Sequence, residues 1–339
     1  MTLAALISPA QNLRVRRNHA RDSLQTILQT LGVLLLTVGI ALADDSPASD
    51  DAQAEATQSE AAQTEANPSK ETPTSYKLSY KFNRGDVLRY RVRHSANVRT
   101  TIDAETQQVE SESESVKAWK VTDVLPDGSM EFLHLVESVK MSNQSGGGKV
   151  NRYDSSAGGE APAGFEQAAS AVGVPLTVTR IDATGKILHR EEKHPQPPPA
   201  EDMPITLQLP ADAVAVGEKW DRVYDVDAEQ KSGAKLKVRT RRVCRLASVE
   251  DGIAAIDVEY QILTPVDSYV RSQLVERLTK GVVKFDLERG CVVSQQHDVD
   301  ARILGFASQA SSMQFVARTQ EQLLPAEAVA RRDEADASR

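Results

Sequence analysis

The run His194-Pro195-Gln196-Pro197-Pro198-Pro199-Ala200-Glu201-Asp202-Met203-Pro204 limits the fold more than any other stretch of this 339-residue chain. Proline fixes φ and removes a backbone donor, so such a run fits neither a helix interior nor a central strand. It reads as an extended polyproline II spacer. The chain must therefore pack as two stretches, 76–193 and 205–323, joined by a connector over 194–204.

Both stretches carry the same landmarks in the same order. A glycine–acid pair opens each, Gly85-Asp86 in the first and Gly217-Glu218 in the second. An Asp-Gly hairpin turn follows at Asp127-Gly128 and again at Asp251-Gly252. A short helical pattern comes next, over 165–172 and over 267–280. In the second, Val270, Leu274, Val275 and Leu278 recur at helical spacing, Ser268 is a candidate N-cap and Gly281 a terminator. Strand, Asp-containing turn and strand close each half.

Elsewhere the period is two. Tyr76, Leu78, Tyr80 and Phe82 alternate with polar residues, as in a half-buried strand. Leu88, Tyr90, Val92 and His94 share one face of the next strand, and Arg89, Arg91 and Arg93 the other. An even-length hairpin loop then sets that Arg stripe beside Glu110, Glu112 and Glu114. Residues 142–164, rich in Gly and Ser, read as a loose loop. The fold class is mainly β: two similar halves of curved antiparallel sheet, each with one short helix.

The ends of the chain read as addresses and spacers. Residues 31–43 are apolar and uncharged, preceded by Arg14, Arg16, Arg17 and Arg21. Thirteen residues of helix span about 20 Å, short of the bilayer's hydrocarbon core. Ala41-Leu42-Ala43 before Asp44 has the small-x-small pattern of a signal peptidase site, so cleavage is expected between Ala43 and Asp44, with no stable transmembrane segment left afterwards. Residues 44–75 hold eight acids and one Lys with almost no large apolar side chain, the composition of a disordered linker. Residues 324–339 form a polar tail.

The net charge is −8. The first 43 residues contribute four Arg and one Asp, which leaves −11 for the rest. That balance argues against nucleic acid as a partner. Aromatics are 4%, too few for broad stacking platforms.

Candidate sites are sparse. Lys235, Lys237, Arg239 and Arg241 share one face of a strand, with Leu236, Val238 and Thr240 on the other. They form either a groove for an acidic polymer or lipid headgroups, or a solvated face neutralised by neighbours such as Asp225, Asp227 and Glu259. Cys244 and Cys291 are the only cysteines, and in an exported chain they are candidates for a disulfide. His189 and His194 do not converge on a strand or a helix, so no metal or cofactor is expected. Gly146-Gly147-Gly148-Lys149 lacks the spacing of a phosphate loop. There is no Ser-centred elbow and no Cys–His pair, so no catalytic residue is assigned.

The turn Gly217-Glu218-Lys219-Trp220, followed by the Gly281-x-x-x-Phe285-Asp286-x-x-x-Gly290 strand pair, resembles exported β-rich proteins of planctomycete bacteria. The resemblance implies a periplasmic or secreted protein and no catalytic residues. The leading expectation is a non-catalytic binding or scaffold protein of the cell envelope, acting on a protein, glycan or lipid component. A periplasmic carrier of an apolar ligand, its curved sheets wrapping lipid, is the alternative, and an envelope hydrolase the third. The three predict different interiors. A carrier needs an apolar hollow, a hydrolase needs convergent carboxylates, and a scaffold needs neither.

Overall fold

The computed structural model describes residues 74–195 and 206–325. The signal segment with its Ala43–Asp44 junction, the acidic linker, most of the Pro-rich connector and the end of the tail lie outside them.

The elements in chain order are β1 (Ser75–Tyr76), β2 (Val87–Ile102), β3 (Glu105–Val124), β4 (Met130–Ser145), β5 (Asn151–Asp154), α1 (Glu166–Ser170), β6 (Pro175–Ile181) and β7 (Ile187–Glu192). After the connector come β8 (Val214–Ala215), β9 (Lys219–Glu229), β10 (Lys235–Glu250), β11 (Ile253–Ile262), α2 (Ser268–Gln273), a 3-10 turn (Val275–Arg277), β12 (Lys280–Asp286), β13 (Cys291–Leu304) and β14 (Ser312–Leu323). The fold is antiparallel β with two short helices.

One sheet holds almost all of it, in the order β7-β6-β4-β3-β2-β14-β13-β12-β11-β10-β9, with β5 added on β4. The halves are joined edge to edge. β14 pairs with β2 from Ser312↔Thr101 to Leu323↔Tyr90. The two short strands that precede the halves, β1 and β8, pair with each other.

The glycine–acid turns and the Asp-capped closing turns fold alike, down to single hydrogen bonds, whereas the Asp-Gly hairpin of the first half closes over a longer loop, Val124↔Met130. Asp86 accepts from the Asn83 amide at 2.7 Å, and Glu218 accepts from the Ala215 amide at 2.7 Å. Gly85 donates its N–H to the Val121 carbonyl on β3, and Gly217 donates to Leu246 on β10. Asp182 and Asp286 each cap the closing turn of their half, accepting from Thr184 and Lys186 and from Glu288 and Arg289. The two-residue turn Asp251-Gly252 has φ of 49° and 76°, the left-handed pair that matches strand twist.

Some boundaries differ from the sequence pattern. Of the expected first strand only Tyr76, with Ser75 before it, is in a ladder. Residues 77–82 run extended across the inner face of the sheet and plug it. Leu78, Tyr80 and Phe82 are buried, together worth roughly 6 kcal/mol of hydrophobic transfer. Tyr80 meets Phe285 of β12 edge to face at 5.4 Å, and Phe82 meets Trp119 of β3 at 6.5 Å. The plug thus ties the two halves into one cluster, which also takes in Leu207, Leu209 and Val214.

Two glycines make room for it. At Gly290 a Cβ would lie 2.5 Å from Lys81, and at Gly185 it would lie 2.5 Å from Tyr80, both at positive φ. Gly281, expected to end a helix, instead lies inside β12. A Cβ there would lie 2.1 Å from the Gln296 carbonyl of β13. The helix N-cap is Asp267, not Ser268, and its side chain accepts from the Val270 amide. Within the expected loose loop, β5 forms a short ladder on β4.

At the other end of the strands, both helices cover the same inner face. α1 packs Ala168, with the preceding Phe165, on Val139 and Met141 of β4. α2 packs Val270, with Leu274, on Val226 of β9 and Val238 of β10. The 3-10 turn sets Val275 against Val98, Val299, Met313 and Phe315. Apolar clusters therefore close the inner face at both ends and leave a belt between them.

Candidate functional site

On β10 the structure places Lys235, Lys237, Arg239 and Arg241 on the outer face, with Val238 and Thr240 buried on the inner one. Their register partners on β9 are Glu229 for Lys235, Asp227 for Lys237 and Asp225 for Arg239. Lys237 lies 3.5 Å from Asp227, and Arg241 lies 3.9 Å from Asp221 and donates to Gln261 at 2.7 Å. The basic face is interleaved with acids across both of its neighbours; Arg245 adds a contact with Asp257 on β11 at 2.5 Å. Glu259 pairs with Lys280 instead.

Cys244 and Cys291 are not bonded; both are free, buried thiols in the plug cluster. The disulfide expectation is corrected by topology. Cys244 is on β10 and Cys291 on β13, with β11 and β12 between them. Three strand spacings are about 14 Å along the sheet, beyond the roughly 7 Å Cα limit for a bridge. Burial pushes the Cys244 thiol up to about 11, so it is inert as a nucleophile at neutral pH.

The Arg stripe of β2 meets the Glu stripe of β3 at one end only, with Glu112 and Glu110 opposite Ser95 and Asn97 instead. Arg93 pairs in register with Glu114 and bonds it at 2.7 Å. Arg89 reaches past β3 to Glu137 of β4 at 2.9 Å. Arg93 and Glu114 edge a concavity of the outer face. Two hollows, of about 560 Å³ and 740 Å³, adjoin there and share Arg93 and Gln320. The first runs over β12, β13, β14 and β2, and the second over β14, β2, β3, β4 and β5. Together they form a trough across the β2–β14 junction.

Its floor is a hydrogen-bonded polar surface. Gln320 donates to Gln296 at 2.9 Å, Gln296 to Asp298 at 2.7 Å, and Arg318 to Asp298 at 2.6 Å. Arg318 holds the Asp298 carboxyl below the usual carboxylate range, and hydrogen bonds from Ser156 do the same for Asp154. Both acids are ionised at neutral pH and unsuited to donate a proton. What the trough offers is amides, hydroxyls and guanidinium groups, donors and acceptors in alternation.

The inner belt was not foreseen from the sequence. Lys117 of β3 and Glu321 of β14 form a buried ion pair at 2.8 Å, with side chains 5% and 4% exposed. Gln295 of β13 also donates to Glu321 at 2.8 Å. Further along lie His134 of β4, Thr177 and Thr179 of β6, and Arg190 of β7, all buried. Burial, then the charges of Lys117 and Arg190, hold His134 down at about 3. His297, beside Arg242, is held at about 4 by its burial first and that charge second. Among the described residues, Tyr90 Oη, Trp119 Nε1, Tyr260 Oη, and Nε and Nη1 of Arg190 are buried without a hydrogen-bond partner. The only sequence signal was polar residues at in-facing alternate positions, such as Thr177 and Thr179.

Among the described residues no group of three or more His, Cys, Asp and Glu side chains is placed to hold a metal ion. No described helix is long and apolar enough to cross a membrane. No family model matches the chain. No curated protein matches it either. Among solved structures, one titled "Lipid-protein interactions in lipovitellin" aligns with a TM-score of 0.42 at 12% identity. The alignment covers 72% of this chain and 26% of that one.

Proposed function

We propose that this chain is a non-catalytic exported protein of the cell envelope that binds or scaffolds a polar partner through the outer-face trough. The observation that carries the reading is the joining of two hollows across the β2–β14 junction. A surface of interleaved amides and paired charges can satisfy a hydroxyl- and amide-rich partner without leaving a buried charge unpaired. Asp298 and Asp154, whose carboxylates are held ionised by their hydrogen-bond donors, are unsuited to general acid catalysis in the trough. The inner face argues against the carrier alternative. Its two ends are packed with apolar side chains, and its belt carries a charge pair and buried polar groups that an alkyl chain would strand. Export through the 1–43 segment, and kinship with exported planctomycete proteins, belong to the same proposal.

Native mass spectrometry of the purified full chain tests it. The expected spectrum shows the polypeptide alone or with a glycan or peptide adduct. A second arm replaces Arg93 by Glu and Gln320 by Leu, and the adduct or envelope association is lost. A stoichiometric co-purifying lipid would overturn the reading in favour of the carrier.

A further inference from the structure

Arg190 is the cation least explained by the fold. It sits on β7, the last strand of the sheet, and only 8% of its surface is exposed. Two of its guanidinium nitrogens, Nε and Nη1, are buried with no hydrogen-bond partner. Buried guanidinium donors left without partners cost free energy, so a structure retains them where an acceptor completes them.

Hydroxyls line the inner face beside it, and one acid, Glu192, stands on that face in register with Thr177. Arg190 stands directly across from Thr179 in the β6–β7 register, which puts it on the inner face. Thr177 lies two residues along, opposite His134 of β4. The Thr177 and Thr179 hydroxyls lie 3.4 Å apart, and both residues are fully buried. His134 feels the charge of Arg190 and is neutral, so it adds no second charge to the site. The acid whose field reaches Arg190 is Glu192, which is exposed at the rim of the same strand. Among the described residues β7 has no strand beyond it, so this point lies at the sheet edge.

We propose that Arg190, with the Thr177 and Thr179 hydroxyls, forms an internal binding site for a small oxyanion group, carboxylate or phosphate. The guanidinium supplies the charge and the unpaired donors, and the two hydroxyls supply further donors to the same anion. The site is separate from the outer trough, on the opposite face of the sheet, and does not depend on the function proposed for it.

The test is thermal unfolding of the full chain titrated with inorganic phosphate, with acetate, and with chloride as a salt control. Ligand that binds only the folded state raises the midpoint with concentration. The wild-type midpoint rises with phosphate, acetate or both beyond the chloride control, and which one acts identifies the head group. Arg190→Met reduces the affinity by about tenfold or more, as expected for a lost hydrogen bond to a charged group. The same variant is at least as stable as wild type when no oxyanion is present, because it removes buried donors that have no partner. Thr177→Val with Thr179→Val, close in volume, weakens binding while keeping the fold, and Arg84→Met, on an exposed turn, leaves it unchanged. Equal response of wild type and Arg190→Met, or no response beyond chloride in either, overturns the proposal.

Discussion

His134 stands opposite Trp119 on one side and Thr177 on the other, with 4% of its surface exposed. Nothing there welcomes a proton, since Lys117 and Arg190 already place positive charge around it. Its folded value of about 3 lies below the ordinary 6.5. The unfolded chain therefore binds the proton first as pH falls. The stability contributed is complete above pH 6.5 and is lost progressively as pH drops through the folded value. Between pH 7 and pH 5 the loss is about 2 kcal/mol from this residue alone, at about 1.4 kcal/mol per pH unit below 6.5. Glu276 acts in the opposite sense. Burial raises it to about 7, so its contribution is present below 4.5 and lost as pH rises through 7. The expected outcome is that His134→Leu flattens the acid limb of stability against pH, read as denaturant midpoints between pH 7 and pH 5. A slope unchanged by the substitution would show that His134 is protonated in the folded state.

The Lys117–Glu321 pair acts between elements. Lys117 is on β3 and Glu321 on β14, so the pair bridges over β2, whose Tyr90 ring lies 5.6 Å from the ammonium. It fastens the strand at the junction to both of its neighbours. Removing either partner leaves the other charge buried, at a cost of about 3–5 kcal/mol, whereas removing both is far milder. Lys117→Met and Glu321→Met are each expected to destabilise strongly, and the two together to recover most of the loss, in a double-mutant cycle by urea unfolding. Single costs below about 1 kcal/mol would mark the pair as solvated.

The elements themselves were legible to the extent that they are local. Period-two alternation and the Asp-Gly turns located β2, β3, β4, β10 and β11, and loop parity put the Arg and Glu stripes on one face, where the register brings Arg93 to Glu114. The Gly217-Glu218 turn was readable because it repeats Gly85-Asp86. What is non-local was not readable. Leu78, Tyr80 and Phe82 alternate like a strand, but the sheet that would pair them is occupied, so they cross it as a plug. Gly281 looked like a helix stop because nothing local reveals the Gln296 carbonyl pressed against it. Arg190 and Lys117 look like ordinary surface cations until the strand order places them inside. The pairing of Cys244 with Cys291 failed on the same ground, since strand order decides it and spacing does not.

At the scale of the whole molecule, the duplicated halves invite the expectation of two independent domains, and the sheet argues otherwise. A separate first half would leave the β2 edge unpaired along the length now taken by β14, a hazard for aggregation. It would also lose Leu207, Leu209, Ile256 and Phe285 from the cluster around its own Tyr80 and Trp119. The second half would lose Leu78, Tyr80 and Phe82, which fill its inner face. Neither piece keeps a closed core, so the two should unfold together. The two tryptophans report this directly, because Trp119 lies in the first half and Trp220 in the second. Trp220→Phe and Trp119→Phe each leave a single indole. In guanidinium titrations, the offset in fluorescence midpoint from each variant's own circular-dichroism midpoint should be zero within error for both. A fragment spanning 74–195 should show no cooperative transition. Midpoints that separate between the two indoles, or a fragment with a dispersed amide spectrum, would mean that β2 and β14 meet as finished domains and that the shared cluster forms last.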